Sequence, residues 1–467
     1  MRLHRIPTFI GLFVLAASAA RGVDTLGLLQ NDPGASAGYT LFAPVPYTKT
    51  YLVDNAGRQV RSWSSAYRPG QSVYLLENGD LLRTANRNTN TVFQAGGAGG
   101  GIERFDWDGN LIWDYTYDTP THLSHHDAVR MPNGNVLMIA WELKTSAECV
   151  AAGRDPAQLP DGELWPDHVI EVQPTLPSGG TIVWEWHAWD HVVQAFDAGK
   201  PNFGVVADHP ELINLNYVSN NSADWNHINA IDYNADLDQI LLSSHAFSEI
   251  WVIDHSTTTA EAAGHTGGAR GRGGDLLYRW GNPRAYGAGV PADRRLFAQH
   301  NAQWIDAGFS GAGNILIFNN GAAAGNRAYS TVDEIIPAVD AFGVYTLPAG
   351  TPSLPAAAAW SYSATPQTSF FATNISGAQR LPNGNTLICD GPKGSFFEVT
   401  PEGSTLWRYV NPVTVAGPVM QGTTPANNIV FRATRYSPDD PAFEGRDVTP
   451  GAPVELYPMQ AGLWVVY

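Results

Sequence analysis

Three short stretches place histidine where it could do chemistry: His125-His126-Asp127-Ala128, His227-Ile228-Asn229-Ala230 and Gln299-His300-Asn301-Ala302. A fourth histidine, His245, closes Leu241-Leu-Ser-Ser-His245. Imidazole can serve as nucleophile, as general acid or base near neutral pH, or as metal ligand. Aligned on the shared alanine, His227 falls level with His125 and His300 falls level with His126. Side chains alternate along a strand, so both phases reach one space only if the strand entries are irregular. Asp127 and Asp224 are the nearby carboxylates available to orient the rings. His187, His191 and His209 fall in long connections and read as solvated side chains.

The elements that must position these residues are a repeated hairpin. Leu123 to Glu142 holds the turn Pro132-Asn133-Gly134-Asn135 between two apolar runs, a hairpin signature. Variants of that hairpin recur at 73–82, 230–243, 302–318 and 378–388. A second repeat joins a turn, an apolar strand and an aromatic pair. Its copies end at Trp63, at Trp113 and Tyr115, at Trp184 and Trp186, at Tyr278 and Trp280, at Trp360 and Tyr362, and at Trp407 and Tyr409. With the strand between the two motifs, each unit holds four strands. A four-strand sheet cannot bury both faces alone, so repeated units stack around an axis. The expected fold is all-β, a six-bladed β-propeller of four-stranded antiparallel blades, with blades at about 37–66, 70–117, 123–190, 225–282, 298–363 and 375–411. The aromatic pairs fill the spaces between blades, and the inner strands carry their histidines to one mouth of a central channel. Insertions at 144–166 and 190–224 flank the third unit and suit lids. The tail from about 427 adds a strand or packs on one face.

Composition agrees. Among 467 residues there are 47 Gly, 32 Pro and 15 Trp, which suits a turn-rich β protein. A net charge of -17 argues against nucleic acid and anionic membrane surfaces as partners. Arg2 and Arg5 precede an apolar run at 10–17 and small residues at 17–20. This pattern reads as a cleaved export signal over 1–20, followed by a lead-in at 21–36, and it places the mature protein in a periplasm or outside the cell. The two cysteines, Cys149 and Cys389, read as buried free thiols.

At the histidine stretches the chain resembles the bacterial arylsulfotransferase family, over roughly residues 70–411. The matching pieces are His125-His126-Asp127 with Arg130-Met-Pro-Asn-Gly-Asn135, Asp224-Trp-Asn-His227-Ile-Asn229, and Gln299-His300-Asn-Ala302 with Asn314 to Gly321. Tyr278-Arg-Trp-Gly-Asn282 and Arg380-Leu-Pro-Asn-Gly-Asn385 also look like this family. The resemblance implies a six-bladed propeller and a ping-pong transfer of a sulfuryl group from an aryl sulfate to a phenolic acceptor. Motif order places the nucleophile on His300. His126 (or His125) and His227 would stabilise the sulfuryl oxygens or move the phenol proton. No cofactor and no metal is expected. One departure stands out: where the family carries an arginine after paired serines, this chain has His245. Arginine is a fixed cation with a fork suited to oxyanions. A cation for the sulfuryl group would then come from Arg130, Arg279 or Arg380. The candidate substrate-binding residues are Arg130, Arg380, Asn229 and Asn301.

Two other readings remain open on the residues alone. His126, His227, His245 and His300 could form an imidazole site for a transition metal. The propeller could also be a non-catalytic binding protein.

Overall fold

The computed structural model describes residues 24–159, 161–218, 222–323 and 327–457; the expected export signal lies outside them. The described chain is all-β, and its sheets have a propeller-like arrangement. Four-stranded meanders run in order. The first is Tyr39–Pro44, Lys49–Asp54 and Gln59–Ser64, with Val430–Tyr436 added beside Tyr39–Pro44. Next come Arg68–Leu75, Leu81–Asn86, Gly100–Phe105 and Leu111–Thr116, then His122–Arg130, Val136–Glu142, Asp167–Pro174 and Gly180–His187. A single parallel pair, Gln71 with His126, joins these two meanders into one eight-stranded sheet. Ile228–Asn234 leads a sheet that ends at Tyr278–Trp280, and His300–Trp304 leads one that ends at Trp360–Tyr362. Gly377–Arg380 leads the last meander, whose final strand, Thr405–Val410, also pairs with Gly27–Asn31. The lead-in therefore contributes an edge strand, and the tail supplies the inner strand of the first sheet.

The Asn-Gly turns form one recurring device. In Met131–Asn135 the N–H of Met131 donates to the Asn135 carbonyl (2.9 Å) and that of Gly134 to the Met131 carbonyl (2.9 Å). The same two bonds close Leu76–Asp80 (2.8 and 2.7 Å) and Leu381–Asn385 (2.8 and 2.9 Å). The glycines sit at φ 91°, 79° and 86°, which a side chain resists. The second asparagine then reaches a glutamate on the third strand: Asn135 to Glu171, Asn385 to Glu398 (2.7 Å) and, from a different turn, Asn314 to Glu334 (2.6 Å).

The tryptophans of the outer strands tie each sheet to the next. The indole N–H donates from Trp63 to the Asp106 carbonyl (2.9 Å), from Trp113 to Gly179 (2.8 Å) and from Trp186 to Gly274 (2.7 Å). It continues from Trp280 to Pro355 (2.7 Å), from Trp360 to Pro401 (2.9 Å) and from Trp407 back to Asn55 (2.9 Å). A buried indole needs a partner for its N–H, and each such bond contributes about 0.5–1.5 kcal/mol net.

Side chains stitch the inner strands together around the axis. Asp127 accepts the Ile231 N–H (3.2 Å), Asp232 the Trp304 N–H (2.8 Å), Asn301 the Ala378 N–H (2.9 Å) and Gln379 the Arg435 N–H (2.7 Å). Arg432 bridges three strands, donating to Asp127 (2.7 Å), to the Tyr74 hydroxyl (2.7 Å) and to the Asn229 carbonyl (3.0 Å). Asp127 thus serves Arg432, Tyr74 and the backbone rather than His126. Cys149 and Cys389 are buried and free, as expected. No helix among the described residues is long and apolar enough to cross a membrane. Removing the Arg432 guanidinium leaves the Asp127 carboxylate buried without its ion pair, which costs about 3–5 kcal/mol. Arg432→Ala should therefore lower the unfolding free energy by that amount, read as a lower denaturant midpoint; an unchanged midpoint would mean the bridge contributes nothing to stability.

Candidate active site

The first strand pairing of each of three sheets is interrupted near its histidine. Register breaks fall opposite Met138 and Ala140, between Ile228 and Ile231, and between His300 and Gln303. His126 (φ 50°), His227 (φ 47°) and Asn301 (φ 49°) take the left-handed conformation there. Such residues cost about 1–3 kcal/mol each and concentrate at functional sites, as bulges do. These breaks are why histidines from both alternating phases reach one space.

The rings form a chain. His125 lies 5.1 Å from His126 between centroids, His126 4.7 Å from His227, His227 5.0 Å from His245 and His245 5.3 Å from His300. Phe431 touches both flanks, 5.9 Å from His126 and 6.5 Å from His300. His125, His126 and His300 are buried, whereas His227 keeps 18% of its side chain exposed and His245 is half-buried, so approach is from the His227 and His245 side.

Each ring has a fixed polar partner or a burial that sets its charge. His300 donates Nδ1–H to Asn320 Oδ1 (2.8 Å). The orientation of the Asn320 amide is set because its Nδ2 donates to the carbonyls of Ala372 (3.0 Å) and Ile375 (2.9 Å). His300 therefore keeps its lone pair on Nε2, where the Ile375 N–H donates a long 3.2 Å bond. Burial, the nearby His245 and the charge of Arg432 hold His300 well below the usual histidine range, so it is neutral. Burial likewise pushes His245 and His125 down to about 3, and holds His126 low together with its neighbouring imidazoles.

His227 is the exception. Burial pushes it down, but Asp224, whose Oδ2 lies 2.5 Å from Nδ1, more than offsets this and raises it. It is the group in this cluster whose cationic form is favoured. Asp224 also accepts the Trp141 indole N–H (3.0 Å), and Trp141 stacks on His125 at 4.0 Å.

Asp167, at the start of its strand, was not legible as a site residue. Its Oδ1 lies 2.6 Å from His125 Nε2, its Oδ2 accepts the Ile228 N–H (2.9 Å), and both side chains of the pair are fully buried. Burial raises Asp167 while it lowers His125, so both shifts favour the uncharged forms. His125 Nδ1 lies 2.8 Å from His126 Nδ1; in the tautomer in which His125 donates there, His126 presents Nε2–H. Asp167, His125 and His126 form a chain of hydrogen-bonding contacts that ends at the cluster. The two insertions deliver its acids: Trp165 donates its backbone N–H to Ala223 (2.7 Å), two residues before Asp167 and one before Asp224. Arg154 of the first insertion binds the Leu215 and Val218 carbonyls of the second.

The structure brings His125, His126, His227, His245 and His300 together and leaves the expected arginines elsewhere. Arg130 is exposed beside its hairpin turn. Arg380 pairs with Glu334 (2.6 Å), and Arg279 is locked to buried Glu249. Asn229 donates to the Gln299 carbonyl (2.8 Å) and Asn301 stitches strands, so both support the inner strands. A fixed cation that does act on His300 is Arg432, next to Phe431 in the tail, which adds a strand as one of the two expectations had it. A cavity of about 340 Å³ lined by Asp232, Trp304 and Arg432 belongs to the other mouth of the channel and includes none of these histidines. Gly97 (φ 90°) lies against His126: a Cβ there would sit 1.9 Å from Cε1. Gly97→Ala should displace the ring and disable the site at least tenfold while the far-ultraviolet CD of the sheets is retained; full activity would show that the His126 position is unimportant.

A search of curated proteins finds no match. Among solved structures, a Bacteroides caccae protein of unknown function aligns at 12% identity and TM-score 0.45, over 86% of this chain and 99% of that one. A catalytically inactive virginiamycin B lyase from Staphylococcus aureus with quinupristin aligns at 10% and 0.37, over 84% and 90%. At these scores neither bears on fold or function. The sequence model described as Arylsulfotransferase (ASST) matches residues 29–415. The chain belongs to the arylsulfotransferase family.

Proposed function

We propose that the protein moves a sulfuryl group from an aryl sulfate to a phenolic acceptor through a sulfo-histidine on His300. The observation that carries this reading is the fixed tautomer of His300: Asn320 holds Nδ1–H, which leaves Nε2 as a neutral nucleophile. Nε2 attacks sulfur, displacing the weak Ile375 N–H bond, and the S–O bond to the aryl group breaks. His227 gives its proton to the departing phenolate. In the second half the acceptor phenol returns a proton to His227, its oxygen attacks sulfur, and the S–N bond breaks. His126 Nε2–H and the His227 cation face the charge on the sulfuryl oxygens. A cation held by Asp224 compensates for the missing arginine, with His245 as a neutral neighbour. Membership of the family supports transferase chemistry on small aryl substrates.

The six-blade count belongs to the same reading. Six indole bonds link successive sheets and return to the first, and the inner strands neighbour one another in the same order, which supports six blades. The basic start and apolar run at 1–20 support export, and hence reaction in a periplasm or outside the cell. The four-histidine metal reading has less behind it. Among the described residues, the group of three whose ligand atoms lie within 4.8 Å of one another is His191, His265 and Asp275, outside the channel.

The test is release of phenol from a chromogenic aryl sulfate, with and without a phenolic acceptor. Acceptor-stimulated release that falls to background in His300→Ala supports the reading, and release unchanged in that variant would sink it. His245→Arg should retain or raise transfer. The His227 cation is present below its raised pKa and lost as pH rises through it. For an aryl sulfate with a basic leaving group, kcat/KM should fall over that range. Asp224→Asn should move the fall to lower pH and cost about 10²–10⁴-fold at neutral pH; an unmoved profile would remove His227 as the acid.

A further inference from the structure

A second cluster of histidines lies outside the channel. His191 follows the outer strand Gly180–His187, and its side chain is fully buried, contrary to the expectation of a solvated loop residue. It stacks on Trp186 with centroids 5.7 Å apart. His191 Nε2 lies 2.8 Å from the Ala262 carbonyl, which can only accept, so Nε2 carries a proton. In neutral His191 the lone pair is then on Nδ1, and Nδ1 faces Asp275 Oδ1 at 2.9 Å. His265 Nδ1 meets the same oxygen at 2.8 Å. Two ring nitrogens and one carboxylate oxygen thus converge on one point, and two lone pairs facing one another there require a proton or a cation between them.

The geometry points to a metal site: we propose that His191, His265 and Asp275 bind a divalent transition ion of the zinc class. Imidazole with carboxylate suits such ions. The Ala262 carbonyl plays the outer part that fixes ring tautomer and orientation in histidine metal sites. Tetrahedral coordination with bonds of about 2.0–2.1 Å sets ligand atoms roughly 3.3 Å apart, so the donors must spread by a few tenths of an ångström. His265 can supply that movement, being mostly exposed on a loop that holds Gly264, Gly267 and Gly268. On the open side a cavity of about 320 Å³, lined by Asp275, Asp208, Glu211 and Arg272, leaves room for water as a fourth ligand.

The ion would act as a clamp. His191 extends from the sheet ending at Gly180–His187, whereas His265 and Asp275 lie between Glu249–Asp254 and Tyr278–Trp280 of the next sheet. It fastens the outer edges of the two sheets beside the Trp186 to Gly274 bond.

The test uses the full chain, stripped with a chelator and dialysed. Calorimetry with Zn²⁺ should show one equivalent bound, Co²⁺ should give visible absorption bands, and Zn²⁺ should raise Tm. His265→Ala, an exposed change compatible with folding, should weaken Zn²⁺ binding at least tenfold and abolish the Tm gain. His300→Ala should bind Zn²⁺ as the unaltered protein does. Absence of binding, or equal binding by His265→Ala, overturns the assignment. Loss of the ion in His300→Ala with retention in His265→Ala places it in the channel and overturns it as well.

Discussion

The structure depends on bonds made by tryptophan between neighbouring sheets. A four-strand meander leaves apolar surface on both faces, and stacking against neighbours is what buries it. An indole contributes a large apolar area and one N–H that must be satisfied. Here one indole on each outer strand finds a carbonyl in the following sheet, and the series ends where it began, with Trp407 on Asn55. The packing surface and the hydrogen bond are properties of one side chain, so apolar burial and sheet orientation are fixed together. Inner strands positioned in this way hold their first residues at one end of the axis, and the histidines occupy that end.

Within that end, charge is assigned by which ring owns a carboxylate. Burial favours the neutral form of every imidazole. Asp224 overcomes burial at His227 because its oxygen is in direct contact and the ring keeps some solvent. Asp167 does not do the same for His125, since both are sealed from water and the carboxyl is itself driven toward protonation. Two Asp–His pairs in one site therefore have opposite outcomes, one an ion pair and one in which burial favours the uncharged forms. A nucleophile and an acid are kept distinct although both are histidine.

Much of this was legible in the sequence, for identifiable reasons. The Asn-Gly turns and the aromatic pairs recur with the strand order, so the repeated unit could be read from spacing. His125, His126, His227 and His300 were visible because they stand at the openings of inner strands, and His245 because it follows the second strand of such a hairpin. Their convergence depended on bulges, which no periodicity announces; His126, His227 and Asn301 in the left-handed region are the physical trace. Asp167 was hidden because it opens an ordinary third strand and meets His125 only across the sheet. Arg432 and Phe431 were hidden because their strand has no hairpin partner nearby: it pairs with Tyr39–Pro44, at the far end of the chain. Of the arginines that did attract notice, Arg279 and Arg380 are consumed by Glu249 and Glu334, and Arg130 is exposed at its turn. His191 sits in an insertion, where sequence gives no reason to expect full burial.

The pairing of Val430–Tyr436 with Tyr39–Pro44 also sets an order of events in time. During synthesis the strands bearing His126, His227 and His300 emerge before Phe431 and Arg432 exist. Until the late strand docks, the first sheet lacks its inner member, Asp127 lacks its guanidinium, and one wall between His126 and His300 is open. Docking of that strand thus completes the first sheet and the wall of the site in a single step. A growing polypeptide carries every histidine of the cluster while remaining chemically unfinished.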